Sequence, residues 1–122
     1  MVLWLYKMNK QYRLKNSDEI GSIVQKRQRQ YSDLYTIYYT YNNEDTRFAV
    51  VAGKKIGKAI IRNKIKREMR EIIRPRLEEC KNIHAVIVAK EKTNQASFQE
   101  KSDSLNKLIS IMLERTKHDK KI

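Results

Sequence analysis

Cysteine is nearly absent from this chain, with Cys80 alone among 122 residues. One cysteine excludes a disulfide framework and a cysteine-based zinc site. It fits a reducing compartment such as the cytoplasm. Long apolar runs are missing too. Nothing approaches the ~18 consecutive apolar residues of a membrane-spanning helix. Val2 to Tyr6 is too short for a signal peptide, and basic residues follow it. Acidic residues are scarce: 14 Asp and Glu face 27 Lys and Arg, for a formal net charge of +13. Such an excess opposes compaction by self-repulsion, so it serves an anionic partner. Nucleic acid ranks ahead of a membrane surface or an acidic protein. Only one proline, Pro75, and three glycines punctuate the chain, and no repeat or Gly/Pro/Ser-rich linker divides it. One domain with a real core is expected.

Catalytic groupings are also lacking. His84 and His118 have no partners at metal-ligand spacing. The acids at 18–19, 44–45, 78–79 and 100–103 fall in loops, near helix ends or on polar helix faces, not in the carboxylate cluster a metal-dependent nuclease uses. No Ser/His/Asp or Cys/His arrangement suggests itself. Gly53 to Ala59 (G-K-K-I-G-K-A) falls short of a phosphate-binding loop. Its glycine spacing is one residue short, and Ala59 stands where a metal-binding Ser or Thr belongs. The residues therefore describe a binding protein with no obvious catalytic apparatus of its own, and no metal-ligating residues are singled out.

The feature that is present is Gly53 to Arg76. Ten of its residues are Lys or Arg and only Glu68 and Glu71 are acidic. Ile61, Ile65, Met69, Ile72 and Ile73 recur at steps of three and four, the period of a helix with one buried stripe. At ~100° per residue, Asn63, Lys66, Arg67 and Arg70 share the opposite side. Together with Lys54, Lys55 and Lys58 they make a continuous cationic face suited to phosphates.

The rest of the chain supplies a core for that helix. Residues 1–8 read as an N-terminal extension, loosely packed or disordered, with Met8 an alternative start. Residues 9–16 read as a basic arm, 9–117 as the domain, and 118–122 as a charged tail. Asn16 and Glu19 resemble a capping box opening a first helix over 17–28, with Ile20, Ile23 and Val24 as its apolar stripe. Leu34 to Tyr41 reads as a strand, with Tyr38 on one face and Tyr35, Ile37 and Tyr39 on the other. Arg47 to Ala52 is a second strand, and the short polar spacing predicts an antiparallel hairpin between the two. The Tyr-rich region has room for a further short strand. The motif helix is predicted over 58–79, with Pro75 ending or kinking it. His84 to Ala89 reads as a central strand. Ser97 and Glu100 form a capping box for a last helix over 98–117. The fold class is α+β, with helices packed on a small sheet.

Lys54 to Arg70 (K-K-I-G-K-A-I-I-R-N-K-I-K-R-E-M-R) closely resembles the signature of the protein subunit of bacterial ribonuclease P, roughly K-[KR]-x-G-x-A-x-x-R-N-[RK]-x-K-R-x-x-R. The resemblance extends over about 9–117, including the R-L-K of Arg13 to Lys15. It implies a mixed sheet with a left-handed βαβ crossover. It also implies a non-catalytic subunit that assists a catalytic RNA in removing the 5′ leader from precursor tRNA, with Mg²⁺ bound mainly by that RNA. By this resemblance Lys54, Lys55, Lys58, Arg62, Asn63, Lys64, Lys66, Arg67 and Arg70 face the catalytic RNA. Arg13, Ile20, Val24 and Tyr38 face the leader. Ile20 and Val24 are aliphatic where relatives often carry phenylalanine, so stacking on leader bases is expected to be weaker. Lys58 stands where many relatives have Asn. No membrane or small-molecule substrate is implied. A structural RNA-binding protein, such as a ribosomal protein, is the alternative; an intrinsic nuclease is a third class.

Overall fold

Most of the sheet's organisation follows from the run that is apolar on both faces. In the computed structural model, which describes residues 20, 21, 23, 28–41 and 46–120, the order of sheet strands is β1 (Arg29–Tyr31), β2 (Tyr35–Tyr41), β4 (Ile83–Ala89), β3 (Arg47–Ala52). β4 is central and runs antiparallel to β2 and parallel to β3. The predicted hairpin between β2 and β3 is therefore corrected, since β4 separates them. A strand buried on both faces gains most from two neighbours, and Ile83, Ala85, Val86, Ile87 and Ala89 are all buried. The hairpin of the sheet is instead β1 with β2, where Arg29 pairs with Tyr38. β1 is the further short strand for which the Tyr-rich region had room.

Two long helices, α1 (Ala59–Ile73) and α2 (Phe98–Lys120), pack on one face of the sheet. The period-2 alternation of the strands sorts their side chains. Tyr35, Ile37, Tyr39, Phe48, Ile83 and Ile87 enter the core with Ile65, Met69, Ile72 and Ile73 of α1 and Leu105, Leu108, Ile109 and Met112 of α2. On the other face, Ala49 and Val86 pack with Ile23, flanked by Ile20, Tyr38, Val51 and Val88. Ile20, Gly21 and Ile23 are helical, whereas Gln28 is not. The carbonyl of Gln28 accepts a backbone bond from Tyr39 and extends the β1–β2 ladder, so the first helix stops short of 28.

Pro75 behaves as its chemistry requires. The α-helix gives way at Arg74 to a 3-10 segment that continues to Glu79. Ile61 departs from the predicted stripe, being 40% exposed, because packing begins one turn later at Ile65. Ser97 caps α2 by accepting the Glu100 backbone N–H at 3.2 Å, while its hydroxyl donates to the Glu100 carboxylate at 3.3 Å. α2 runs to Lys120, beyond the predicted end at 117.

α1 is held to α2 by an enclosed ion pair. Lys101 Nζ donates to Glu68 Oε1 at 2.9 Å, with side-chain exposures of 8% and 16%. Arg76 adds a second tie, donating from one guanidinium nitrogen to the Asn106 carbonyl and the Ser110 hydroxyl.

Candidate nucleic-acid interface

α1 owes its cationic face to the same packing that buries its stripe. With Ile65, Met69, Ile72 and Ile73 fixed against the sheet, Asn63, Lys64 and Arg67 are exposed, and Arg62, Lys66 and Arg70 are half-buried around them. Glu68 does not dilute this charge, because its carboxylate is turned to Lys101. The Arg62 Nε is enclosed and has no hydrogen-bond partner among the described residues.

The face continues into the turn that feeds α1. Lys54–Ile56 form a single 3-10 turn closed by the Ile56 N–H on the Gly53 carbonyl. Ile56 is buried and anchors the turn, while Lys54, Lys55 and Lys58 stand out into solvent. Gly57 has φ 151°, a backbone conformation that side chains disfavour, and a Cβ there would lie 3.1 Å from Ile61 Cδ1. The glycine is what lets the chain swing from strand to helix with Ile61 lying over it.

A second basic segment joins this turn, and sequence reasoning missed it. Lys90 and Lys92 follow β4, and the parallel pairing of β3 with β4 brings both strand ends to one place. Asn94 donates from its side-chain amide to the Ile56 carbonyl, locking the Glu91–Gln95 turn to the Lys54–Ile56 turn. Lys90 is itself held, donating to the Ser32 carbonyl with its ammonium 5.2 Å from the Tyr31 ring centre. Between the two turns lies an open cleft of about 800 Å³, lined by Val51, Val88 and Ile56, by Lys54, Lys55, Lys90 and Lys92, and by the acids Asp33 and Glu91. The signal was present in the Lys90-x-Lys92 spacing after an apolar run. Reading it required knowing that β4 lies parallel to β3.

The predicted second surface is partly assembled. Ile20 and Tyr38 come together in one cluster on the sheet face opposite α1 and α2. Tyr38 sits in register with Val86, which in turn pairs with Ala49. Arg13 and Val24 lie outside the described residues. Of the five tyrosines near β2, Tyr35 and Tyr39 are core and Tyr38 faces the other way, as the strand's alternation requires. Burial, then the charge of Glu68, pushes the Tyr35 phenol well above the usual tyrosine range, and its hydroxyl has no hydrogen-bond partner among the described residues.

Among the described residues, no three or more His, Cys, Asp or Glu side chains gather as a metal site. No helix there is long and apolar enough to cross a membrane. The arrangement offers the exposed cations of α1 on one side of the sheet and a half-buried aromatic with aliphatic neighbours on the other, and Lys54, Lys55 and Lys92 border that second side through the cleft they share with Val51 and Val88.

Comparison with known proteins agrees with this geometry. The family model described as Ribonuclease P matches residues 8–113. The ribonuclease P protein component of Syntrophomonas wolfei is 37% identical over 94 residues, covering 75% of this chain and 79% of that protein. Its counterpart in Mesoplasma florum is 32% identical over 99 residues, covering 79% and 90%. Among solved structures, the RNase P protein of Staphylococcus aureus superposes with a TM-score of 0.78 at 25% identity, covering 84% of this chain and 96% of that one. The RNase P protein of Thermotoga maritima gives 0.69 at 26% identity, with 79% and 94% covered. With its basic helix, its mixed four-stranded sheet and a family match over most of its length, the chain belongs to the ribonuclease P protein family and has a role in tRNA processing.

Proposed function

We propose that this chain is the non-catalytic protein subunit of ribonuclease P, binding the catalytic RNA through α1 and the 5′ leader of precursor tRNA through the opposite sheet face. The observation that carries the reading is the separation of the two surfaces. The exposed cations of α1 and the Ile20–Tyr38 cluster belong to opposite sides of one sheet, so two RNA segments can be held without competing. Lys54, Lys55 and Lys58, with Lys64 and Arg67, neutralise phosphates of the catalytic RNA, and the exposed Asn63 hydrogen-bonds to a base edge or sugar. Arg62, Lys66 and Arg70 add charge from half-buried positions. Tyr38, with Ile20 beside it, offers an unpaired leader base a partly apolar surface. Arg13 and Val24 extend that assignment in sequence.

The chain's contribution is electrostatic and positional. It lowers the repulsion between two polyanions, orients the leader and favours retention of Mg²⁺. Mg²⁺ is assigned mainly to the RNA, whose phosphate oxygens are the hard ligands this ion takes. Hydrolysis at the leader junction is assigned to the RNA, and the cytoplasm is its setting.

The test combines the full chain, its cognate catalytic RNA and precursor tRNA at low Mg²⁺. Correct 5′ cleavage should rise when the protein is added. No gain would sink the reading. Co-sedimentation with ribosomal particles and no effect on tRNA processing would favour a structural ribosomal role instead. RNA cleavage by the pure chain alone would favour an intrinsic nuclease.

A further inference from the structure

Two isoleucines at the start of α1 stand outside any core. Ile60 is 83% exposed and Ile61 40% exposed. They lie amid the exposed Lys54, Lys55, Lys58 and Lys64, and no acid intervenes before Glu68, which is engaged by Lys101. Helix stability does not call for them, since a β-branched residue is a poorer helix former than alanine at an exposed position. Gly57 gives up a side chain in a strained backbone geometry, and Ile61 lies over the space it leaves.

An apolar pair set among lysines that form no ion pair among the described residues narrows the choice of partner. An uncharged protein groove would cover the isoleucines but leave the lysines without counter-charge. RNA satisfies both features, because its phosphates take the lysines while its bases and sugars present apolar faces. We infer that Ile60 and Ile61 form an apolar foot that packs against an unstacked base or ribose face of the catalytic RNA, between phosphates held by the surrounding lysines. This rests on the RNA-binding reading of α1 and adds to it a contact that salt does not screen.

The measurement is equilibrium binding of the full chain to the catalytic RNA across a series of KCl concentrations. Ile60→Ala is expected to weaken binding about five-fold at every salt concentration, as loss of a partly buried aliphatic contact should. The slope of log affinity against log salt should stay at its wild-type value. Ile60→Leu should retain most of the affinity, and Ile61→Ala should behave like Ile60→Ala. Lys64→Ala should instead flatten the slope. Wild-type affinity for both Ile60→Ala and Ile60→Ser overturns the inference and points to a protein as the occupant. A flattened slope for Ile60→Ala also overturns it, since the loss then runs through displaced lysines. If the lysine variants bind as wild type, the RNA-binding reading of α1 itself fails. Circular dichroism of each variant confirms that α1 is retained.

Discussion

Removing Glu68 should unfold this protein more readily than any change on the exposed face of α1. The Glu68–Lys101 pair is 2.9 Å long, with only 16% and 8% of the two side chains exposed. Glu68→Ala leaves an enclosed ammonium with no counter-charge. Breaking one partner of a fully buried pair costs roughly 3–5 kcal/mol, and the residual exposure of Glu68 puts this case near the lower end. A loss of about 3 kcal/mol corresponds to roughly 10 °C in the melting temperature of a domain this size. Urea unfolding at neutral pH measures the free energy directly. The double variant Glu68→Leu with Lys101→Met should recover most of the loss, because an apolar pair of similar volume carries no desolvation penalty. The cycle of single and double variants isolates the coupling. A single-variant loss below about 1 kcal/mol, the level of a solvated surface pair, would refute the claim that this contact docks α1 on α2.

Three further outcomes are expected. Tyr35→Phe should stabilise the protein by about 1 kcal/mol at neutral pH, by removing an enclosed hydroxyl that has no partner among the described residues. Because burial and Glu68 raise the folded phenol above its ordinary value of 10.0, wild-type stability from this group is intact below pH 10 and is lost as pH rises beyond it. The advantage of Tyr35→Phe in urea unfolding should therefore widen above pH 10; a constant gap would count against the burial argument. Gly57→Ala should cost about 1–2 kcal/mol through its backbone geometry, and adding Ile61→Ala should return only part of it, as read by thermal unfolding. Arg67→Ala should weaken binding to the catalytic RNA with a shallower salt slope, whereas Tyr38→Ala should weaken precursor tRNA with a leader more than mature tRNA. Equal losses for both substrates would remove Tyr38 from the leader surface.

The elements were more legible in the sequence than their pairing. Period and composition located α1, α2, β2, β3 and β4 because each has a local signal: a stripe, an alternation or an apolar run. Which strands are neighbours is a non-local property. The short spacing after Tyr41 suggested a hairpin, yet β4, 31 residues beyond the end of β3, takes the place between β2 and β3. Helical period alone likewise put Ile61 in the stripe, since it carries no information about where the core ends. The cations of α1 were readable for the converse reason, because a one-signed face shows in the helical period itself. Lys90, Lys92 and Asn94 were not, because only the parallel β3–β4 pairing sets them beside Lys54 and Lys55.

The central place of β4 also governs when the molecule can exist during its own synthesis. A nascent chain that has emerged only as far as Asn82 holds β1, β2 and β3, but lacks β4, the one neighbour β3 has in the described sheet. The β1–β2 hairpin can close early, whereas the sheet, and with it the seat for α1, waits for Ile83–Ala89. Until then the cationic helix has no core beneath it, and its isoleucines and methionine are open to solvent along with its lysines and arginines. This late strand therefore decides when the cations of α1 are displayed on a folded face and when they belong to an open, aggregation-prone peptide.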